Sequence, residues 1–208
     1  MSFKIVVSRF DENISWLTNE GYECVIYNKG TKLNIENEIM STNVGRESTS
    51  YLMYIIDNYD CLPEVVVFTQ AKICDHRSEG NDINYLLKMK NDALLLKNKK
   101  SLPYITTCNS DKCKNPFLEN DFNVWNIIPN TKYKDDKFII FKDWFEKNIN
   151  ACYPDPMCMY LNGLFAVRKE LILNNPLAYY KTLLEEVNYD INPMEGHFME
   201  RSWYYIFT

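Results

Sequence analysis

Several features are missing from this sequence, and each absence excludes a class of protein. No apolar run approaches the length of a membrane span, and no charged segment followed by a long apolar stretch stands at the N-terminus. We therefore expect no membrane segment, no secretory signal peptide and a cytoplasmic location. The formal net charge of −5 argues against a nucleic-acid partner, which normally requires a basic face, although a few local basic residues can hold a small anionic ligand.

A tight Cys-x-x-Cys pair is missing as well. The seven cysteines are odd in number and irregularly spaced, which is typical of reduced thiols in a cytosolic protein. Zinc binding by Cys108, Cys113, Cys152 and Cys158 is an alternative, but ordinary buried or loop thiols fit the spacing better.

The sequence does contain the material for a substantial core. Hydrophobic residues make up 46% of the 208 residues, with 15 tyrosines and 11 phenylalanines, so a folded domain is expected rather than a disordered chain. No internal repeat, low-complexity segment or clear linker divides residues 1–208, which predicts a single domain. The sequence stops inside or just after a predicted helix at Phe207, as a domain excised from a longer polypeptide would.

The first thirty residues read as a β-α-β unit. Phe3–Ser8 is apolar and rich in β-branched residues, which predicts a buried strand, and Asp11 stands where it can cap a short helix that ends at Gly21. Glu23–Tyr27 predicts a second strand, closed by a turn over Asn28–Gly30. This opening predicts an α/β, doubly wound fold with a mixed, mostly parallel sheet flanked by helices.

Apolar spacing predicts the later elements. Residues at helical intervals predict a helix over Glu47–Asn58, and the unbroken apolar run Glu64–Thr69 predicts a central strand covered on both faces. The remaining predictions are a helix capped by Asp82, short strands and loops over Ser101–Asn130, a strand over Phe138–Phe141, a short helix around Trp144, a strand over Tyr160–Val167 interrupted at Gly163, a helix with Pro176 in its first position after Asn175, and a helix over Glu195–Phe207.

Polar residues follow the predicted strands and point to a phosphate pocket. Arg9 follows the first strand, Gln70 and His76 follow the central one, and Arg46 begins a helix after Gly45. Open α/β sheets bind ligands at the carboxyl ends of their strands, and a helix N-terminus that carries an arginine favours anions. Each residue also has a structural alternative. Arg9 can pair with Asp11, Arg46 with Glu47, and His76 can cap the next helix.

The last predicted helix carries a polar face. His197 precedes Glu200 and Arg201 by three and four residues, so the three side chains can lie together. An imidazole or carboxylate here can act as general base on an acceptor hydroxyl. The alternative is an ion-pair lattice of Glu200 and Arg201 that locks the helix to the sheet. Glu195 stands third after Asn192 and fits a capping box.

An ordered set of motifs resembles the glycosyltransferase family of the GT-A type. The resemblance covers nearly the whole chain. It is carried by Val7-Ser8-Arg9-Phe10, Ile26-Tyr27-Asn28-Lys29-Gly30, Asn43-Val44-Gly45-Arg46-Glu47, Val67-Phe68-Thr69-Gln70, Asp75-His76, Gly163-Leu164-Phe165-Ala166-Val167-Arg168-Lys169-Glu170 and Gly196-His197-Phe198-Met199-Glu200-Arg201-Ser202-Trp203. More narrowly, the chain resembles the glycosyltransferase domain of large-virus capsid-glycan enzymes, which implies a location in the host cytoplasm.

The resemblance implies a GT-A-like, Rossmann-like domain that moves a hexose from a nucleoside-diphosphate sugar, commonly a UDP-sugar, to a glycan hydroxyl. A divalent metal, usually manganese, would neutralise the leaving diphosphate. The implied donor contacts are Ser8, Arg9, Asn28, Lys29, Arg46, Gln70, Asp75 and His76. The implied metal ligands are Asp75, His76 and His197, and the implied catalytic residues are His197, Glu200 and Asp155.

The sequence departs from that family at one motif. GT-A enzymes usually hold the metal with Asp-x-Asp after the central strand, whereas this chain has Thr69-Gln70-Ala71 there and no Asp-x-Asp anywhere. Either Asp75 and His76 replace it, or the enzyme relies less on metal. Asp155 lies between two prolines and also fits a rigid turn. The alternative function is a non-catalytic nucleotide-sugar or glycan-binding domain of a larger protein.

Overall fold

The computed structural model describes residues 2–18, 21–73, 83–95, 130–154 and 163–207. The strands are β1 (Phe3–Arg9), β2 (Cys24–Asn28), β3 (Glu38–Met40), β4 (Val65–Gln70) and β5 (Phe165–Arg168). The helices are α1 (Ser15–Thr18), α2 (Arg46–Asp57), α3 (Ile83–Leu95), α4 (Phe141–Asn148), α5 (Lys169–Ile172), α6 (Leu177–Val187) and α7 (Met194–Ile206). None of the helices in these ranges is long and apolar enough to cross a membrane.

The strands form one sheet in the order β3-β2-β1-β4-β5. The first four strands are parallel, and β5 runs antiparallel to β4. The chain winds outward from β1 to β3 and then returns to place β4 on the other side of β1. The predicted α/β class, with a mixed, mostly parallel sheet flanked by helices, is therefore confirmed. A sheet of this order has a switch point between β1 and β4, where a crevice opens at the carboxyl ends of the strands.

Both faces of the sheet are covered, because alternate strand residues point to opposite sides. Val6, Val66 and Phe68 point to one face and pack against α2, α4, α6 and α7. Val7 and Val67 point to the other face and pack against α1 and α3. The prediction that β4 is a central strand buried on both faces is confirmed.

An aromatic group fills the core between α2, β4, β5 and α7. The ring of Tyr51 lies 4.9 Å from that of Phe68, 5.8 Å from that of Phe165 and 6.0 Å from that of Trp203, measured between centroids. The buried Tyr51 hydroxyl donates a hydrogen bond of 2.8 Å to the Gly163 carbonyl. Helix α2 is thereby fixed to the chain that enters β5.

One predicted strand is absent from the structure, and one strand in the structure was not predicted. The predicted strand over Phe138–Phe141 is wrong, because Phe141 begins α4 and Phe138 is 62% exposed before it. Strand β3 was not predicted. It has only three residues, and Ile39 and Met40 are exposed, so it lacks the alternation that marks a half-buried strand. The predicted strand over Tyr160–Val167 corresponds to β5, and the predictions over residues 101–129 and at Asp82 lie outside the described residues.

The predicted helix caps are the other corrections. The Asp11 carboxylate accepts a hydrogen bond from the Thr31 N–H at 2.7 Å, and the residue that caps the turn into α1 is Asn13. Pro176 stands one residue earlier than expected, at the N-cap position of α6, and Pro193 is the N-cap of α7.

Polar side chains expected at caps instead connect distant segments. The Asn175 amide donates to the Ile206 carbonyl at 2.6 Å. The Glu195 carboxylate accepts hydrogen bonds from the Lys134 N–H at 3.0 Å and from the Tyr189 hydroxyl, so it does not complete a capping box. These side chains bond to distant segments and not to helix ends, because each one lies near a buried donor or acceptor that needs a partner.

Gly21 and Gly45 have the same backbone conformation, so replacing each by alanine and comparing the costs measures the packing at the start of α2. Gly21 (φ +68°) faces open space, whereas a Cβ on Gly45 (φ +66°) would lie 1.7 Å from Thr49 Oγ1 and 2.9 Å from the Val187 carbonyl. We expect Gly21→Ala to cost about 1 kcal/mol of unfolding free energy, from the left-handed backbone alone. Gly45→Ala should cost at least ~2 kcal/mol more, from steric overlap. Urea unfolding measures both costs, and equal values would contradict the packing around Gly45.

Candidate functional site

A cleft with a cavity volume of about 140 Å³ lies at the carboxyl ends of β1, β2 and β4, on the switch point of the sheet. Five of the predicted site residues line it, namely Ser8, Arg9, Lys29, Arg46 and Gln70. Four lining residues were not predicted as site residues, namely Phe10, Glu12, Asn43 and Glu47.

The strand register explains why residues far apart in sequence meet here. Ser8 of β1 lies opposite Tyr27 of β2 and Gln70 of β4, and Arg9 lies opposite Asn28. Parallel strands end at the same edge of a sheet, so their last side chains lie at one level. Ser8 is further fixed by a hydrogen bond of 2.9 Å between its hydroxyl and that of Ser50 on α2.

Arg9 and Asn28 hold the loops around the cleft together. The buried Arg9 guanidinium donates from Nη1 to Asn28 Oδ1 at 2.8 Å and to the carbonyls of Phe10 and Thr31, while Nε donates to the Glu12 carbonyl at 2.9 Å. The Asn28 amide donates to the Thr31 carbonyl at 2.7 Å. These bonds make both side chains part of the loop framework, and the alternative pairing of Arg9 with Asp11 is not formed.

Lys29 performs a similar task beneath the start of α2. Its ammonium is buried and donates to the carbonyls of Val44, at 2.6 Å, and of Arg46. Burial disfavours the charged form and lowers the pKa of Lys29 to about 8. The turn after β2 is thereby tied to the chain that begins α2.

Arg46 is the cation that keeps a partly exposed side chain at the cleft. The side chain is 30% exposed and its backbone is left-handed, with φ of 52°. Its Nη1 lies 3.0 Å from His197 Nδ1, its Nε lies 3.6 Å from Glu47 Oε2, and its Nη2 lies 3.9 Å from Glu200 Oε2.

His197 is a neutral imidazole enclosed by polar partners. Arg46 Nη1 lies 3.0 Å from its Nδ1 and 2.9 Å from its Nε2, and Nε2 also lies 3.0 Å from Asn192 Oδ1. A guanidinium only donates, so the imidazole accepts from Arg46 through an unprotonated ring nitrogen. Burial, followed by the charges of Arg46 and Arg201, lowers the pKa of His197 to about 3. A base this weak does not suit general-base catalysis near neutral pH.

Glu200 and Arg201 lie in the ion-pair lattice that the sequence offered as an alternative. Arg201 is buried, its Nη1 donates to the His197 carbonyl at 2.7 Å, and the same atom lies 3.9 Å from Glu200 Oε2. Glu200 is therefore shared between the guanidinium groups of Arg201 and Arg46, with its side chain 12% exposed.

Glu47 is a cleft residue that sequence reasoning considered only as a partner of Arg46. The residue is 6% exposed, and burial raises the pKa of its carboxyl, an effect that Glu200 reinforces and Arg46 opposes. The run Arg46–Ser50 carried a sequence signal for this role. These polar residues open an amphipathic helix, and after Arg46 all of them are buried, so they need polar partners inside the protein.

The described residues do not fit a metal held by His197. No group of three or more His, Cys, Asp or Glu side chains comes together within those ranges. Both ring nitrogens of His197 face Arg46 or Asn192, and a metal cation beside the Arg46 guanidinium would be repelled. Asp75, His76 and Asp155 lie outside the described residues, so their assignments stay predictions.

The zinc alternative rests on residues of which most are not described. Cys152 is an exposed free thiol, as is Cys61, and Cys24 is a buried one. Cys108, Cys113 and Cys158 lie outside the described residues.

A comparison with protein-family models finds one match, over residues 5–208, to a family described as a protein of unknown function, DUF3431. No curated protein and no solved structure matches the chain. The matched range contains every residue that lines the cleft and all of α7, so the candidate site lies within the part of the chain that the family model covers.

The neutral state of His197 is directly testable. We expect its imidazole to remain neutral down to about pH 4, well below the ordinary value of 6.5. Heteronuclear NMR of the two histidines, with the His197→Asn spectrum for assignment, measures this. A His197 signal that titrates near pH 6.5 would contradict the geometry.

The same shift predicts a pH dependence of stability. The unfolded chain takes up a proton at His197 near pH 6.5, whereas the native chain does so only near pH 3. The free energy of unfolding contributed by this residue therefore falls as the pH is lowered through that window. Urea unfolding of His197→Asn and the unmodified protein at several pH values should show a smaller decrease in the variant.

Proposed function

The chain belongs to the DUF3431 family, and we propose that it is a glycosyltransferase that moves a hexose from a nucleoside-diphosphate sugar, a UDP-sugar in the first instance, to a glycan hydroxyl. The observation that carries the proposal is the partly exposed Arg46 guanidinium at the N-terminus of α2, inside a cleft on the switch point of the sheet. Crevices at this position bind nucleotides in doubly wound folds.

The charge distribution supports a phosphate ligand. The first N–H groups of α2 and its dipole favour an anion at the start of the helix. Arg9 and Lys29 are occupied by backbone carbonyls, so they add positive potential without reaching out. Arg46 is then the side chain that contacts the diphosphate and stabilises the charge that develops as it leaves.

An exposed aromatic side chain supports a nucleoside. Phe10 lines the cleft with 48% of its surface exposed. Its loop is rigid, because its N–H donates to the Glu12 carboxylate at 2.7 Å and a Cβ on Gly30 would lie 1.8 Å from the Phe10 carbonyl. A fixed aromatic ring at the edge of a polar cleft is suited to stack on a nucleobase.

In the proposed reaction, the acceptor hydroxyl oxygen bonds to the anomeric carbon while the bond from that carbon to the diphosphate breaks. The acceptor proton passes to a base, for which Glu200 and Asp155 are the predicted residues. His197 instead orients Arg46 through the hydrogen bond between them. A manganese ion held by Asp75 and His76 would supply further charge neutralisation to the diphosphate.

Calorimetric titration of UDP-glucose and of UDP, each with and without manganese, together with an assay for UDP release onto glycan acceptors, tests the function. We expect binding of both ligands and slow turnover of the sugar nucleotide. Binding without any turnover would favour the non-catalytic nucleotide-sugar-binding domain. Absence of binding to UDP-, GDP- and other nucleotide sugars would overturn the proposal.

Replacing Arg46 should weaken diphosphate binding. We expect Arg46→Gln to lower the affinity for UDP at least about tenfold, because a hydrogen bond to a charged group contributes ~1.5–3 kcal/mol. Calorimetry measures the loss, and Lys181→Gln, at an exposed position on α6, is the matched control. Equal affinities of the two variants would contradict the assigned role.

Replacing Phe10 should separate base from phosphate binding. Stacking of a base on an aromatic ring is worth about 1–3 kcal/mol, so we expect Phe10→Ala to lower the affinity for UDP about tenfold. Inorganic pyrophosphate has no base, and its affinity should not change. Phe138→Ala, at an exposed aromatic residue that does not line the cleft, is the control. A parallel loss for both ligands would exclude a stacking role.

A further inference from the structure

We propose that Glu47, with Gln70 beside it in the cleft, forms a hydroxyl-binding subsite that holds the sugar ring of the ligand. This inference rests on the proposed function and adds the part of the ligand that the site distinguishes.

The first observation is an unsatisfied acceptor. Glu47 is 6% exposed, and its Oε1 has no hydrogen-bond partner among the residues that the structure describes. Its other oxygen, Oε2, lies 3.6 Å from Arg46 Nε. A buried acceptor without a partner costs free energy, so proteins keep few of them. Glu47 lines the cleft, where a bound molecule can supply the missing donor.

The second observation is the close approach of the Gly163 backbone to Glu47 and Gln70. Gly163 has φ of 57°, and a Cβ there would lie 3.4 Å from Glu47 Oε1, 3.1 Å from Glu47 Cγ and 3.5 Å from Gln70 Nε2. A Cβ at this position would contact both the carboxylate and the amide, so Glu47 Oε1 and Gln70 Nε2 lie near each other around the glycine. The Tyr51 hydroxyl holds the Gly163 carbonyl at 2.8 Å and keeps the glycine in place.

The charges around Glu47 Oε1 select a neutral hydroxyl among the possible ligand groups. A phosphate oxygen would be repelled by the carboxylates of Glu47 and Glu200, and a metal cation would be repelled by the Arg46 guanidinium. An apolar group would leave Oε1 unsatisfied. A sugar hydroxyl donates to a carboxylate oxygen, which supplies the donor that Oε1 lacks.

In this proposal the two neighbouring residues bind different parts of the ligand. Arg46 faces the diphosphate through its exposed part, and Glu47 next to it in sequence faces the hydroxyl-bearing end. Helix α2 begins with these two residues, so one helix terminus fixes the spacing between the phosphate and the sugar. Removing the Glu47 carboxylate should therefore affect sugar nucleotides more than free nucleotides.

The test compares UDP-glucose, UDP-galactose and UDP by calorimetry for the unmodified protein, Glu47→Ala and Glu47→Gln. We expect at least one UDP-hexose to bind more tightly than UDP, and Glu47→Ala to reduce that ratio of affinities about tenfold. Glu47→Gln keeps the volume and one acceptor and should give an intermediate ratio. Glu185→Ala, at an exposed position on α6, should leave the ratio unchanged. An unchanged ratio in Glu47→Ala would overturn the inference while leaving the proposed function intact.

A second measurement separates the two proposals if no nucleotide binds. NMR titration with free methyl hexosides should shift the amide signals of Glu47 and Gly163, and Glu47→Ala should abolish the shifts. That result would sustain the hydroxyl subsite and overturn the nucleotide function. Absence of both nucleotide and hexoside binding would overturn the two together.

Stability distinguishes a ligand-binding role from a structural one. If Glu47 serves a ligand, Glu47→Gln should not lower the free energy of unfolding, since it removes a buried charge that the free protein leaves half satisfied. Urea unfolding measures this. A lower free energy of unfolding in Glu47→Gln would assign the carboxylate to the framework and contradict the inference.

Discussion

The arrangement of the site depends on the contacts of the Arg46 guanidinium with α7. Arg46 joins the first turn of α2 to α7 through His197 and Glu200, and these helices lie 151 residues apart in the chain when measured from Arg46 to His197. Its backbone adopts a left-handed conformation that residues other than glycine rarely take. Strain of this kind persists where surrounding contacts over-determine a residue, and it concentrates at functional sites.

Around that cation, the protein distributes charge unevenly. His197 remains neutral because burial and two neighbouring guanidinium groups oppose its protonation. Glu200 is balanced by two arginines, whereas one oxygen of Glu47 has no partner among the described residues. The cleft therefore contains a partly exposed cation beside a buried, incompletely satisfied carboxylate. The proposed nucleotide-sugar donor carries phosphate groups that suit the cation and hydroxyl groups that suit the carboxylate.

Two further cations show how residue type alone misleads about role. Arg9 and Lys29 line the cleft, yet both side chains donate hydrogen bonds to backbone carbonyls. These bonds hold three loops together at the strand ends. A buried guanidinium or ammonium can satisfy several carbonyls at once, which suits it to fixing irregular backbone. The rigidity that they provide keeps Phe10 and Arg46 in position.

The sequence by itself determined the α/β class, the buried strands β1, β2 and β4, the amphipathic helix α2 and the edge of the sheet where polar residues collect, because these depend on local periodicity and on strand direction. It did not determine which polar side chains hold loops and which face the cleft. Nor did it reveal β3, whose exposed residues carry no alternation, or the cap proline positions. Only the tertiary structure decided the protonation of His197 and the unsatisfied oxygen of Glu47, because hydrogen-bond partners and burial come from segments that are distant in the chain.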